Sequence, residues 1–157
     1  MSLTFKYLAD CQHLINQLAN WFYHEWGLRN PDLSVDVIQK NLKQRLNRDR
    51  LPLTFVAFRD GDPVGSASLK IREMEIYPQY LHWLGTVYVL PEFRDQGIGS
   101  QIVSHALSEA ERLGNINDLY LYTPDRERFY TKFGWQTLEK PFYHGQEVVV
   151  MKRMISR

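Results

Sequence analysis

The sequence predicts one mixed α/β domain. Short apolar runs bounded by Gly, Pro, Asn and Asp alternate with stretches whose apolar residues recur every three or four positions. The sharpest transition spans residues 84–99. An apolar strand passes through Pro91 into Arg94-Asp95-Gln96-Gly97-Ile98-Gly99, and a helical pattern starts directly behind it. With 157 residues, 44% of them hydrophobic, the chain is long enough to bury a sizeable core.

Residues 3–8 alternate as a first strand. Asp10 is placed to cap a helix carrying Leu14, Ile15, Leu18, Phe22 and Trp26 on one face, with Gly27 as its stop. After Asn30-Pro31-Asp32, Ser34 caps a second helix whose face holds Val35, Ile38, Leu42 and Leu46. Residues 53–59 and 64–71 are strand-like, and the turn Asp60-Gly61-Asp62-Pro63 between them makes the pair antiparallel. Residues 73–81, with two glutamates and Pro78, form a loop before a fourth strand at 82–89. The next helix keeps Ile98, Ile102, Ala106, Ala110 and Leu113 on one stripe, and Gly114 suits its end. Residues 118–123 are a fifth strand. Pro124 fits the first position of a short helix that ends near Phe133 and Gly134. Residues 135–138 and 147–154 close the domain as strands around the turn Tyr143-His144-Gly145-Gln146.

Composition narrows the function. A net charge of +1 gives no general attraction to nucleic acid or an anionic membrane, so neither is expected as a partner. The basic run Lys40, Lys43, Arg45, Arg48 and Arg50 is read as a solvated helix face. Cys11 is the only cysteine, which excludes an internal disulfide and a multi-cysteine zinc site. His13, His24, His105 and His144 lack metal-ligand spacing, so no metal is expected. No apolar run approaches the ~20 residues of a membrane span and no signal pattern precedes the first strand, so the expected location is the cytoplasm. Trp21, Phe22, Tyr23 and Trp26 are read as core and helix-packing surface.

A strand, a glycine-bearing turn and a helix aim several backbone N–H groups at one point, with the positive helix end behind them. Such a point suits a phosphate. Gly97 and Gly99 carry no Cβ, so a pyrophosphate can approach the main chain closely there. The order of elements, the motif from Arg94 to Gly99, and a second motif Phe129-Tyr130-Thr131-Lys132-Phe133-Gly134-Trp135 resemble the GCN5-related N-acetyltransferase (GNAT) superfamily across nearly the whole chain. The resemblance implies a mixed, mostly antiparallel sheet of about seven strands flanked by about four helices, with strands 4 and 5 splayed around acetyl-CoA.

It also implies roles. The amides of Arg94, Asp95, Gln96, Gly97, Ile98, Gly99 and Ser100 would hold the CoA pyrophosphate, and the Arg94 side chain would add a charge-assisted bond. Val87, Tyr88 and Val89 would run beside the pantetheine arm, one amide polarising the thioester carbonyl. Phe129 would wall the channel, and Tyr130 matches the tyrosine that protonates the departing thiolate. Thr123 stands where many relatives carry an asparagine, seven residues before that tyrosine. Many relatives also place a glutamate on the fourth strand as general base, whereas this strand has His82, Trp83, Gly85 and Thr86. Glu73, Glu75, His82 or a water chain are the candidates for that role. Glu25, Asp32, Glu73 and Glu75 near the acceptor groove suggest a cationic acceptor, a small-molecule or peptide amine. The competing expectations are an acyl-CoA-binding module without turnover and transfer of a longer acyl group. The chain is expected to be a monomer, or a homodimer paired through residues 148–154.

Overall fold

A computed structural model describes residues 3–156. The strands are β1 (Thr4–Tyr7), β2 (Leu53–Arg59), β3 (Asp62–Ile71), β4 (His82–Val89), β5 (Asp118–Thr123), β6 (Gln136–Glu139), β7 (Phe142–Tyr143), β8 (Gln146–Glu147) and β9 (Val149–Met154). The helices are α1 (Ile15–Phe22), α2 (Val35–Lys43), α3 (Ile98–Leu113) and α4 (Glu127–Thr131). Seven strands form one sheet in the order β1-β2-β3-β4-β5-β9-β6, antiparallel except for β4 beside β5.

Strand alternation divides the core between two faces. Phe55 and Ala57 of β2 and Ala67 and Leu69 of β3 pack with Ile102, Val103 and Ala106 of α3. Val56 and Phe58 turn the other way, to Ile15, Leu18 and Phe22 of α1 and Ile38 and Leu42 of α2. On this second face β3 presents Ser66, Ser68 and Lys70. Ser66 and Ser68 are nevertheless fully buried. A buried polar floor in the middle of a sheet is costly unless every group is bonded.

Ser34 caps α2 as expected, its Oγ accepting from the Val37 N–H at 3.1 Å. Gly114 ends α3 at φ +77°. Asp10 does not cap α1. Two single 3-10 turns, Leu8–Asp10 and Gln12–Leu14, precede that helix, and Asp10 accepts from Arg48 Nε at 3.0 Å. The helical path continues past α1 as a π turn over Tyr23–Gly27. A Cβ on Gly27 would lie 2.5 Å from Tyr23 Cδ1, which fixes glycine at that stop. Pro124 lies ahead of α4 instead of at its first position. The final stretch is broken in two: β7 and β8 form a separate hairpin across His144 (φ +49°) and Gly145 (φ +84°), and β9 begins at Val149. Among the described residues no helix is long and apolar enough to cross a membrane.

Candidate active site

β4 and β5 share one register pair, Trp83 with Tyr120. Beyond it, the β5-facing edge of β4 pairs with no strand among the described residues. β4 also carries a bulge. Ser66 pairs with Tyr88 but Ser68 pairs with Gly85, so Thr86 and Val87 together oppose Ala67, and Thr86 adopts φ +46°. Hydroxyls pin the bulge. Ser66 Oγ donates to the Thr86 carbonyl at 3.0 Å, and Ser68 Oγ lies 2.6 Å from Thr86 Oγ1 and 2.7 Å from Thr54 Oγ1. The extra residue reverses the alternation: Trp83 joins the cluster with Tyr120 and Tyr143, while Val87 and Val89 pack on the α3 side.

After β4 the chain makes a 3-10 turn over Pro91–Phe93, and Asp95 (φ +64°) and Gly97 (φ +82°) then wind it into α3. Asp95, Gln96 and Gly97 are exposed, and no side chain caps the helix. The first N–H groups of α3 therefore have neither an intrahelical nor a side-chain partner. At Gly97 the backbone angle demands glycine, since an added Cβ would meet nothing within 4 Å. A Cβ at Gly99 would lie 3.5 Å from the Phe129 ring, which places Phe129 beside the turn. The Arg94 side chain differs from expectation. Its Nε donates to the Val89 carbonyl at 2.8 Å, its guanidinium pairs with Glu25 at 3.1 Å, and it lies over the Tyr88 ring. Arg94 thus ties the end of β4 to the helix layer. Tyr88 itself is buried among Trp21, Phe22 and Trp26, with ring centroids 5.3–6.0 Å away.

Tyr130 is 7% exposed, edge-on to Phe129 and Trp135 in the cluster that contains Ile98 and Leu121. Its hydroxyl makes no hydrogen bond with the described residues. Burial pushes its pKa up to about 12, so the phenol stays protonated at neutral pH. Thr123, at the end of β5, accepts at Oγ1 from the N–H groups of Asp125 (3.4 Å) and Arg126 (3.1 Å). It thereby fixes the turn that delivers α4 and Tyr130. Thr123→Val should lower Tm by about 2–4 °C, the loss of one cap of about 1 kcal/mol, with Thr123→Ser restoring it in a calorimetric scan.

The three candidate bases separate. Glu73 forms a 2.6 Å ion pair with Lys70, and both side chains are largely buried, 20% and 14% exposed. Lys70 in turn lies against β4: a Cβ at Gly85 would be 2.7 Å from its Cε and 2.9 Å from its Nζ. Glu75 points away, and its own backbone N–H first, then the Tyr143 hydroxyl donating at 2.9 Å and the nearby His144, hold its pKa low. His82 lies on the opposite side of β4 from Trp83 and Gly85, and burial lowers its pKa, favouring the neutral ring. Burial likewise lowers the pKa of Lys70, against the opposing pull of Glu73. Of the carboxylates read as facing the acceptor, Glu25 pairs with Arg94 and Glu73 with Lys70, whereas Glu75 is hydrogen-bonded by the neutral Tyr143 hydroxyl and keeps its charge. Cys11 is buried, its thiol donates to the Tyr7 carbonyl, and burial raises its pKa. Among the described residues no group of three or more His, Cys, Asp or Glu is placed to hold a metal ion.

Residues 15–135 match the acetyltransferase (GNAT) family. The chain belongs to that family. It is 33% identical over 136 residues to the aminoalkylphosphonate N-acetyltransferase of Salmonella typhimurium, covering 83% of this chain and 76% of that protein. Among solved structures, an aminoglycoside 6'-N-acetyltransferase complexed with coenzyme A superposes with a TM-score of 0.75 at 17% identity, over 100% of this chain and 98% of the other. A GNAT acetyltransferase from Staphylococcus aureus Mu50 gives 0.73 at 15% identity, over 99% and 100%.

The fourth strand of this acetyltransferase carries no carboxylate, and its Gly85 is covered by the Lys70 side chain. Sequence reasoning did not single out Lys70. The signal for Lys70 was present, because Ser66-Ala67-Ser68-Leu69-Lys70-Ile71 alternates polar and apolar in a strand both of whose faces are covered.

Proposed function

We propose that this acetyltransferase moves the acetyl group of acetyl-CoA to a primary amine of a small molecule by direct attack in a ternary complex. The observation that carries this is the β4 edge. It is free of a strand partner beyond Trp83 and runs straight into an exposed turn of uncapped amides at the N-terminus of α3. The amides from Arg94 to Ser100 would bind the diphosphate, with the helix dipole adding about 0.3–1 kcal/mol. The main chain at Val87 and Val89 would hold the pantetheine arm and polarise the thioester. Tyr130, protonated and without a protein partner, would donate to the departing thiolate. The burial and high pKa of Cys11 argue against a covalent thioester on the enzyme.

Attack requires a neutral amine. Lys70 beside Gly85 raises the cost of holding a second cation there, which lowers the acceptor's pKa and favours its free base. Glu73, the only candidate base joined to that surface, would accept the released proton. The Salmonella relative's named acceptor class supports a small-molecule amine. Cytoplasmic location and a monomeric or homodimeric state stay part of this reading. The test is free-thiol release from acetyl-CoA against a panel of primary amines. Amine-dependent release is expected, whereas CoA binding with no release for any amine would leave only an acyl-CoA-binding module.

A further inference from the structure

The charges on the acceptor side of the sheet do not balance. Lys70 and Glu73 form one ion pair. Arg45, half-buried just past α2, accepts at its carbonyl from the N–H of Thr54 at 3.2 Å. Thr54 is the β2 residue whose hydroxyl floors this face, and the Arg45 charge acts on both Lys70 and Glu73. Among the described residues the Arg45 guanidinium makes no hydrogen bond or close ion pair of its own. Glu75 keeps its charge but holds it in solvent, its side chain 72% exposed and turned to Tyr143 and His144. Tyr122 and Tyr143, which also feel Glu73, are kept protonated by burial, Tyr122 with its pKa raised to about 12.

Two cations therefore share one carboxylate in a partly desolvated setting. Uncompensated charge away from water is costly, and a guanidinium fork with open donors is matched by a carboxylate, phosphate or phosphonate. The position is as informative as the charge. Lys70 Nζ rests on Gly85, next to the bulge residue Thr86, on the face floored by the bonded hydroxyls of Thr54, Ser68 and Thr86. An anion seated there lies within the span of a short amino acid or aminoalkyl chain from the β4 edge.

Resting on the N-acetyltransfer reading above, we propose that the acceptor is an amine bearing an anionic group, phosphonate, phosphate or carboxylate, which is seated on Arg45 with Lys70 behind it. The anion supplies the countercharge that the fold leaves out. Its amine end meets the thioester, with Lys70 disfavouring the ammonium form. Arg45 is then a specificity residue, and a diamine is the wrong acceptor.

Matched acceptors test this: 2-aminoethylphosphonate, β-alanine, ethanolamine and putrescine in the thiol-release assay. The anionic pair should exceed ethanolamine in kcat/KM by at least about tenfold, with putrescine lowest. Phosphonate ahead of β-alanine would assign a dianion, and the reverse a carboxylate. Arg45→Gln should raise KM for the anionic acceptors about tenfold while kcat/KM for ethanolamine stays within about twofold. Equal losses for all acceptors, or a preference for putrescine, would overturn the proposal. Calorimetry of 2-aminoethylphosphonate and β-alanine against the CoA-saturated protein reads the seat without turnover. Saturable binding of either that weakens in Arg45→Gln supports the proposal even if thiol release fails, and no binding of either refutes it even if other amines are acetylated.

Discussion

Tyr130→Phe should lower turnover by about 10–100-fold at saturating acetyl-CoA and amine, with acetyl-CoA affinity nearly unchanged. Phenylalanine keeps the ring that packs edge-on to Phe129 and Trp135, so Tm should hold while only the hydroxyl is lost. The size of the effect follows from acidity. Burial raises the Tyr130 phenol to about 12, well above a free thiol near 8.5. Complete transfer of the proton even to the free thiolate would be uphill by about 5 kcal/mol, and more before the C–S bond breaks. The phenol must therefore act mainly as a hydrogen-bond donor to charge developing on sulfur. Such a charge-assisted bond is worth about 1.5–3 kcal/mol, which corresponds to the stated range. The alkaline limb of the pH profile should not report Tyr130, because its ionisation lies above the range in which the amine itself becomes a free base. A rate unaltered in Tyr130→Phe, measured by thiol release under double saturation, would remove it from the reaction.

Wherever local chemistry dominates, the fold was legible in the residues. β4 and β5 run over the predicted residues because each is a short apolar run closed by a turn signal. Ser34 caps α2 and Gly114 stops α3 because those interactions lie within one helical turn. Asp10 and Pro124 were misread because a competing arrangement won. Arg48, 38 residues away, takes the Asp10 carboxylate, and Thr123 Oγ1 organises the turn after β5 so that α4 starts only at Glu127. The π turn over Tyr23–Gly27 and the bulge at Thr86 have no local signature. The first follows an aromatic cluster around Tyr88, the second the hydroxyls of Ser66 and Ser68.

The site divides the same way. The turn from Arg94 to Gly99 and the aromatic pair at Phe129 and Tyr130 are contiguous, and they fall beside each other as the order of elements requires. The proposed acceptor side draws on three separate segments, the stretch after α2, the end of β3 and the loop before β4. Arg45 looked like one member of a solvated basic run. The chain half-buries it past α2, where its own carbonyl accepts from the Thr54 N–H at 3.2 Å. Glu73 and Lys70, three residues apart, were visible as charges but not as a pair, because β3 ends between them and the chain reverses at Arg72 (φ +53°).

Gly97→Glu should abolish CoA binding. At φ +82° any side chain is strained by about 1–2 kcal/mol, enough to lower Tm by roughly 2–8 °C without unfolding the domain. An added Cβ would meet no protein atom within 4 Å, so the new side chain projects into the open space in front of α3. A carboxylate there takes the place of the ligand anion. It satisfies the free amides from within the chain, repels a diphosphate, and is itself favoured by the helix end, so the helix and the mutation act together against CoA. Gly97→Ala separates strain from charge. It carries the same backbone penalty and should cost less than about tenfold in CoA affinity, against a loss of at least about 100-fold for glutamate. Titration of both variants with CoA by calorimetry decides the matter. If Gly97→Glu binds CoA as well as Gly97→Ala does, the diphosphate does not sit on this turn.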